Sequence, residues 1–234
     1  MQILEKILEY IFLPACGVCG KLGEGYLCKN CEKELEKYSL VRKNRCENIN
    51  NILDIKYNAV TKKIKGKGTK ICKLHVFKYE DVIRKLILNY KFNDKSYLYK
   101  TFCEFIVKNK KIVEFIKSYD IIIPVPMFKT KIRKRGYNQS ELMAKEIAKN
   151  VGIKVYTDVL IKIKDNKVQS SLNKQDREEN TKNVYNLVNL EKIYNKKVLI
   201  FDDIYTTGST VEACIKEIEK AKPSKIGILT LAKD

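Results

Sequence analysis

Two clusters of residues in this chain have the types and spacing to do chemistry. The first is Val198-Leu199-Ile200-Phe201-Asp202-Asp203-Ile204-Tyr205-Thr206-Thr207-Gly208-Ser209-Thr210. An apolar run ends in two carboxylates. A short loop of hydroxyls and one glycine follows, and a helix-forming segment begins near Val211. Adjacent carboxylates just past a strand point in different directions. Both can then accept hydrogen bonds from a vicinal diol, or hold a metal ion through water. Thr206, Thr207, Ser209 and Thr210 offer hydroxyls and backbone N–H groups, and Gly208 lets the backbone approach an anion closely. The helix behind them aims the positive end of its dipole at the same place. A diol-binding pair beside a phosphate cradle suits a ribose 5-phosphate. An ordinary capped strand-to-helix turn accounts for one acid but poorly for two acids plus five consecutive small polar residues.

The second cluster is Cys16-Gly-Val-Cys19 and Cys28-Lys-Asn-Cys31. Each Cys-x-x-Cys places two thiolates on one side of a tight turn, and two such turns complete a tetrahedral all-sulfur site for Zn²⁺. Four thiolates fill the coordination sphere, so the expected role is structural. Cys46 stands apart, and Cys72 and His75 form a lone Cys-x-x-His. Whether these make a second metal site is open at this level.

These clusters need a scaffold, and at 234 residues the chain is long enough for one main domain with a small accessory one. No apolar run is long enough to cross a bilayer. Met1 to Phe12 has Ile3, Leu4, Ile7, Leu8 and Ile11 at helical spacing, interrupted by Glu5 and Glu9. It reads as an amphipathic helix docked on the body and not as a signal segment. The expectation is a cytoplasmic protein without membrane insertion. Cysteines clustered in a cytosolic chain point to metal and not to disulfides.

The net charge of +19 has two readings: an anionic partner, or a lysine-rich composition spread over the whole sequence. Against that lysine background, the arginines mark places that need a planar, bidentate fork. They are Arg42, Arg45, Arg84, Arg133, Arg135 and Arg177.

Along the chain, Glu32 to Tyr38 reads as a helix. Arg42 to Lys73 reads as a polar, then lysine-rich, loop or hairpin that could also contact a phosphate backbone. Asp81 to Tyr90 is a helix. From Tyr90 to Lys100 aromatics interleave with lysines, either to stack bases or to pack the helix on the core. Thr101 to Ile116 continues as helix. Strands are expected at Ile121 to Val125, Lys154 to Ile163, Val184 to Val188, Val198 to Phe201 and Ile226 to Ala232. Helices are expected at Ser140 to Lys149 and Val211 to Ala221. This alternation gives an α/β fold, a mostly parallel sheet covered on both faces by helices. Ligands of such sheets bind beyond the carboxyl ends of the strands, where Asp202 and Asp203 would follow Phe201.

The Val198 to Thr210 segment resembles the ribose-phosphate signature of the type I phosphoribosyltransferases. The rest of the chain is similar to the ComF family of competence-associated, phosphoribosyltransferase-like proteins. That resemblance rests on Pro124-Val125-Pro126, on Arg133-Lys134-Arg135-Gly136-Tyr137-Asn138-Gln139, on Gln169 to Leu172, Arg177 and Asn180, and on the N-terminal cysteine pairs. It implies a type I phosphoribosyltransferase-like domain over residues 46–234, with a flap at 164–181. A helix and the four-cysteine zinc module would occupy residues 1–45. It implies phosphoribosyl pyrophosphate with Mg²⁺ as ligand, or a nucleotide. Asp202 and Asp203 would hold the ribose hydroxyls and Thr206 to Thr210 the 5-phosphate. Pro124, Val125 and Pro126 would shape the pyrophosphate loop, with Arg133 and Arg135 on its oxygens and Gln169 and Arg177 closing from the flap. The resemblance also implies a link to DNA uptake, with single-stranded DNA and a competence helicase as partners. Two functions follow: transfer of phosphoribose to an unidentified acceptor, or non-catalytic handling of single-stranded DNA on a reused fold. Because the sequence ends at Asp234 directly after its last strand, the expected hood over the acceptor comes from the N-terminal part or is rudimentary.

Overall fold

The computed structural model describes residues 13–41, 71–165 and 184–234. The helix expected at Met1 to Phe12, the segment 42–70 with Cys46, and residues 166–183 with Gln169 and Arg177 lie outside the described residues.

Strands β1 (Ile71–Lys78), β2 (Ile121–Pro124), β3 (Lys154–Val155), β6 (Lys197–Tyr205) and β7 (Lys225–Lys233) form one sheet in the order β1-β7-β6-β2-β3. Every pairing in it is parallel. All five carboxyl ends therefore lie along one edge, which is where a ligand can be met by several loops at once. Strands β4 (Leu160–Lys162) and β5 (Tyr185–Leu187) pair antiparallel in a separate ribbon. The single strand expected over Lys154 to Ile163 is thus two strands in two sheets.

Strand alternation sends successive residues to opposite faces. On one face Leu199 and Phe201 of β6 and Leu229 and Leu231 of β7 pack under five helices. These are α1 (Lys29–Glu36), α2 (Asp81–Phe92), α3 (Leu98–Lys108), α4 (Lys110–Lys117) and α6 (Gln139–Val151). On the other face Val198, Ile200, Ile226 and Ile228 pack under α7 (Ser209–Ile218) and the β4–β5 ribbon. Burying each such side chain contributes roughly 1.5–3 kcal/mol, and that pull holds the continuous apolar strands between two layers.

The helix expected over Thr101 to Ile116 breaks in two. Asn109 adopts an extended backbone, and its side chain accepts the N–H groups of Lys111 and Ile112, so it caps α4. A short basic helix, α5 (Lys129–Arg135), lies between β2 and α6 and ends at Gly136. Strand β1 occupies the end of the expected lysine-rich loop. Among the described residues no helix is long and apolar enough to cross a membrane.

Candidate functional site

Strand β6 does not stop at Phe201. It pairs with β7 as far as Tyr205, with Asp202 opposite Thr230 and Ile204 opposite Ala232. The carboxylates therefore sit inside the last half of the strand and not on the loop after it. The reason is that β7 is equally long, so the ladder of backbone hydrogen bonds continues past the apolar run. Alternation then separates the pair, Asp202 toward the α7 face and Asp203 toward α2.

Asp202 is buried. Its Oδ1 accepts the Ser140 hydroxyl at 3.1 Å and the Asp203 backbone N–H at 2.9 Å. Burial and the neighbouring Asp203 charge push its carboxyl up to about 7, while the Asp203 N–H, Lys91 and Ser140 pull the other way. Oδ2 of Asp203 meets Nζ of Lys91 at 2.8 Å, with both side chains largely covered. The carboxylates thus differ in setting: one is held among neutral donors, the other is neutralised by an ammonium from α2.

The cradle follows at once. Thr206, Thr207, Ser209 and Thr210 are exposed and Gly208 is buried between them. Gly208 has φ +83°, which an L side chain adopts only under strain, and it is the residue from which α7 starts. A Cβ there would also collide with the Tyr205 phenol, which fills the space under the loop. Thr207 Oγ1 accepts the Ser209 N–H at 3.4 Å. The helix expected from Val211 in fact begins at Ser209, so its first N–H groups belong to the loop itself. Tyr205 is held by Lys73 Nζ on its hydroxyl at 2.9 Å and by the His75 ring 4.8 Å away. Burial, with the Lys233 and Lys73 charges, lowers the His75 imidazole to about 4, so it is neutral near pH 7.

The Pro124–Val125–Pro126 turn leaves β2 beside this strand. Val125 N–H donates to the Phe201 carbonyl at 2.9 Å, and Asn138 Nδ2 donates to the Val125 carbonyl at 3.1 Å. Arg133 is exposed on α5. Arg135 is half-buried: it donates to Gln139 Oε1 at 2.5 Å and lies 5.0 Å over the Phe92 ring.

The second cluster is equally definite. The sulfurs of Cys16, Cys19, Cys28 and Cys31 all lie within 4.8 Å of one another, with Cys19 and Cys28 at 3.7 Å. Four Zn–S bonds of about 2.3 Å in a tetrahedron separate sulfurs by about 3.8 Å, whereas a disulfide needs about 2.05 Å. The donor set and spacing therefore fit a metal ion. Burial raises the Cys16 thiol, but backbone groups of Cys28, Cys19 and Val18 outweigh it and bring it down to about 7. The cluster is seated on α3: Tyr26 N–H donates to Glu104 Oε2 at 2.8 Å, and the Thr101 hydroxyl donates to the Tyr26 carbonyl at 2.9 Å.

Residues 137–234 match the phosphoribosyl transferase domain family. Competence protein F of Haemophilus influenzae is 28% identical over 159 residues, 66% of this chain and 69% of that protein. Competence protein ComFC of Streptococcus pneumoniae is 27% identical over 158 residues, 68% of this chain and 66% of its own. DNA utilization protein YhgH of Salmonella typhi is 30% identical over 92 residues, 39% of this chain and 40% of that protein. The chain is thus similar to the ComF competence proteins over two thirds of its length and to the phosphoribosyl transferase domain family over its C-terminal part.

Its fold is that of the type I phosphoribosyltransferases, with the four cysteines gathered at its N-terminal side. In this chain Cys72 and His75 do not converge. They are three residues apart on β1, so they face opposite sides of the sheet. His75 Nδ1 lies 2.6 Å from the Thr230 hydroxyl, while Cys72 lies beside Tyr119 on the other face. The aromatic–lysine stretch divides: Tyr90 is core, whereas Phe92 and Tyr97 are exposed. Ser140, Lys91, Lys73 and Tyr205 escaped the sequence reading. Only Tyr205 lies within a motif, and the others reach the site by tertiary packing.

Proposed function

We propose that this ComF-like protein binds phosphoribosyl pyrophosphate with Mg²⁺ at the Asp202 to Thr210 segment and serves DNA uptake. The observation that carries the reading is the sequence of parts along one strand end. Two carboxylates on opposite faces are followed within a few residues by a buried Gly208 and a helix start. The carboxylates would hold the ribose hydroxyls, and the hydroxyls and N–H groups of Thr206 to Thr210 the 5-phosphate. Hard carboxylate oxygens suit Mg²⁺ carried in with pyrophosphate, through water. Arg133 and Arg135 are the candidate partners of the pyrophosphate oxygens, beside the Pro124 to Pro126 turn. Gln169 and Arg177 would act from the flap. Transfer at the anomeric carbon passes through a sugar cation, so the protein's work is to position the sugar, neutralise pyrophosphate and exclude water.

The cysteine cluster would hold a structural Zn²⁺, since four thiolates leave no open position. The likeness to competence and DNA utilization proteins supports the link to DNA uptake, with single-stranded DNA and a competence helicase as candidate partners. A second reading, a non-catalytic DNA-handling protein, is favoured by the net charge of +19 with aromatics left exposed among lysines.

Isothermal titration with phosphoribosyl pyrophosphate and Mg²⁺ tests the first reading. Wild type should bind at micromolar concentration, and Asp203→Asn should weaken binding at least tenfold. No heat from wild type would remove it. For the second, affinity for single-stranded DNA should fall steeply with salt.

A further inference from the structure

The acceptor half of the site is not spelled out by any motif, but the end of α2 points to what occupies it. Consecutive residues there do different things. Tyr90 is fully buried and donates its hydroxyl to the Gln139 carbonyl at 3.0 Å, while its own carbonyl accepts the Tyr137 hydroxyl. Lys91 reaches Asp203. Phe92 is 64% exposed, an unusual place for a phenyl ring in a helix otherwise knitted to the site. The Arg135 guanidinium lies over this ring, and Arg135 is fixed in turn by Gln139. Gln139 is buried, and its Nε2 has no partner among the described residues.

We propose that Phe92 and Arg135 form the stacking platform for a heterocyclic base whose ribose phosphate lies on Asp202, Asp203 and the Thr206 to Thr210 loop. This deepens the proposed function and rests on that reading. A flat base gains from an exposed ring stiffened by a guanidinium, whatever its sequence identity, because every base has a π face. Lys91, the residue before Phe92 on α2, reaches Asp203, which brings this end of the helix to the sugar side of the site. The ring buries little of itself and stands outside the core cluster.

Titration with ribose 5-phosphate and with adenosine 5′-monophosphate tests the idea on wild type, Phe92→Ala and Phe92→Trp. Wild type should bind the nucleotide on the order of tenfold more tightly than the sugar phosphate. In Phe92→Ala that ratio should fall toward one, and Phe92→Trp should keep it. If ribose 5-phosphate itself fails to bind wild type, the sugar-phosphate reading falls and this inference with it. If ribose 5-phosphate binds and the nucleotide has no advantage, or the advantage survives Phe92→Ala, the stacking platform alone is overturned.

Discussion

Asp203 on β6 and Lys91 on α2 meet at 2.8 Å with both side chains largely covered, joining residues far apart in sequence at the centre of the candidate site. Breaking a largely buried pair leaves one charge uncompensated. Lys91→Met should therefore cost roughly 1–3 kcal/mol in urea unfolding. Adding Asp203→Asn should restore part of that loss. Strictly additive effects in the double-mutant cycle would mean that the pair is not coupled.

The raised Asp202 carboxyl predicts a specific pH dependence. Its value of about 7 lies above the ordinary 3.8, so the folded state holds the proton more tightly than the unfolded chain. The stability this proton contributes is full below about pH 4 and is lost as pH rises to about 7. Asp202→Asn mimics the protonated form and keeps Oδ1 for Ser140 and the Asp203 N–H. It should stabilise the protein at pH 8 by up to about 4 kcal/mol, an advantage that disappears near pH 4. Melting curves at both pH values check the sign. Equal effects at pH 4 and pH 8 would show that Asp202 titrates normally.

Gly208 carries two constraints, a positive φ and the Tyr205 phenol beneath it. Gly208→Ala should destabilise by about 1–2 kcal/mol from the dihedral alone and distort the phosphate cradle. Gly208→Ala with Tyr205→Leu relieves the collision but not the dihedral. It should recover only part of the loss in thermal unfolding.

The cysteine cluster should carry about one zinc per chain. Because Leu27, Cys28, Cys31 and Leu35 belong to the same core as α3, stripping the metal should loosen more than the cluster. Metal analysis, then melting before and after a strong chelator, should show stoichiometric zinc and a drop of several degrees. Cys28→Ser should lose most of the metal and reproduce that drop. Free thiols with no bound metal after purification with added zinc would contradict it.

The α/β architecture was legible because β2, β6 and β7 are continuous apolar runs of the kind a doubly covered parallel sheet demands. The cysteine pairs and the Asp202 to Thr210 segment were legible because their chemistry is local in sequence. Three things were not. Strand β1 hides behind lysines, since Lys73 and His75 face a polar environment built by Tyr205 and Thr230. The extent of β6 was missed because polar Asp202 and Asp203 interrupt the hydrophobic pattern while the backbone ladder runs on. Lys91 and Ser140 were missed because they meet the carboxylates through packing, and no spacing rule connects them.

The central claim is that β6 and the start of α7 bind a ribose phosphate. A crystal structure with phosphoribosyl pyrophosphate and Mg²⁺ tests it most directly. The account predicts the 5-phosphate against the backbone of Thr207 to Thr210 and the ribose hydroxyls on Asp202 and Asp203. Density for the sugar phosphate at another surface, or none at saturating concentration, would contradict it.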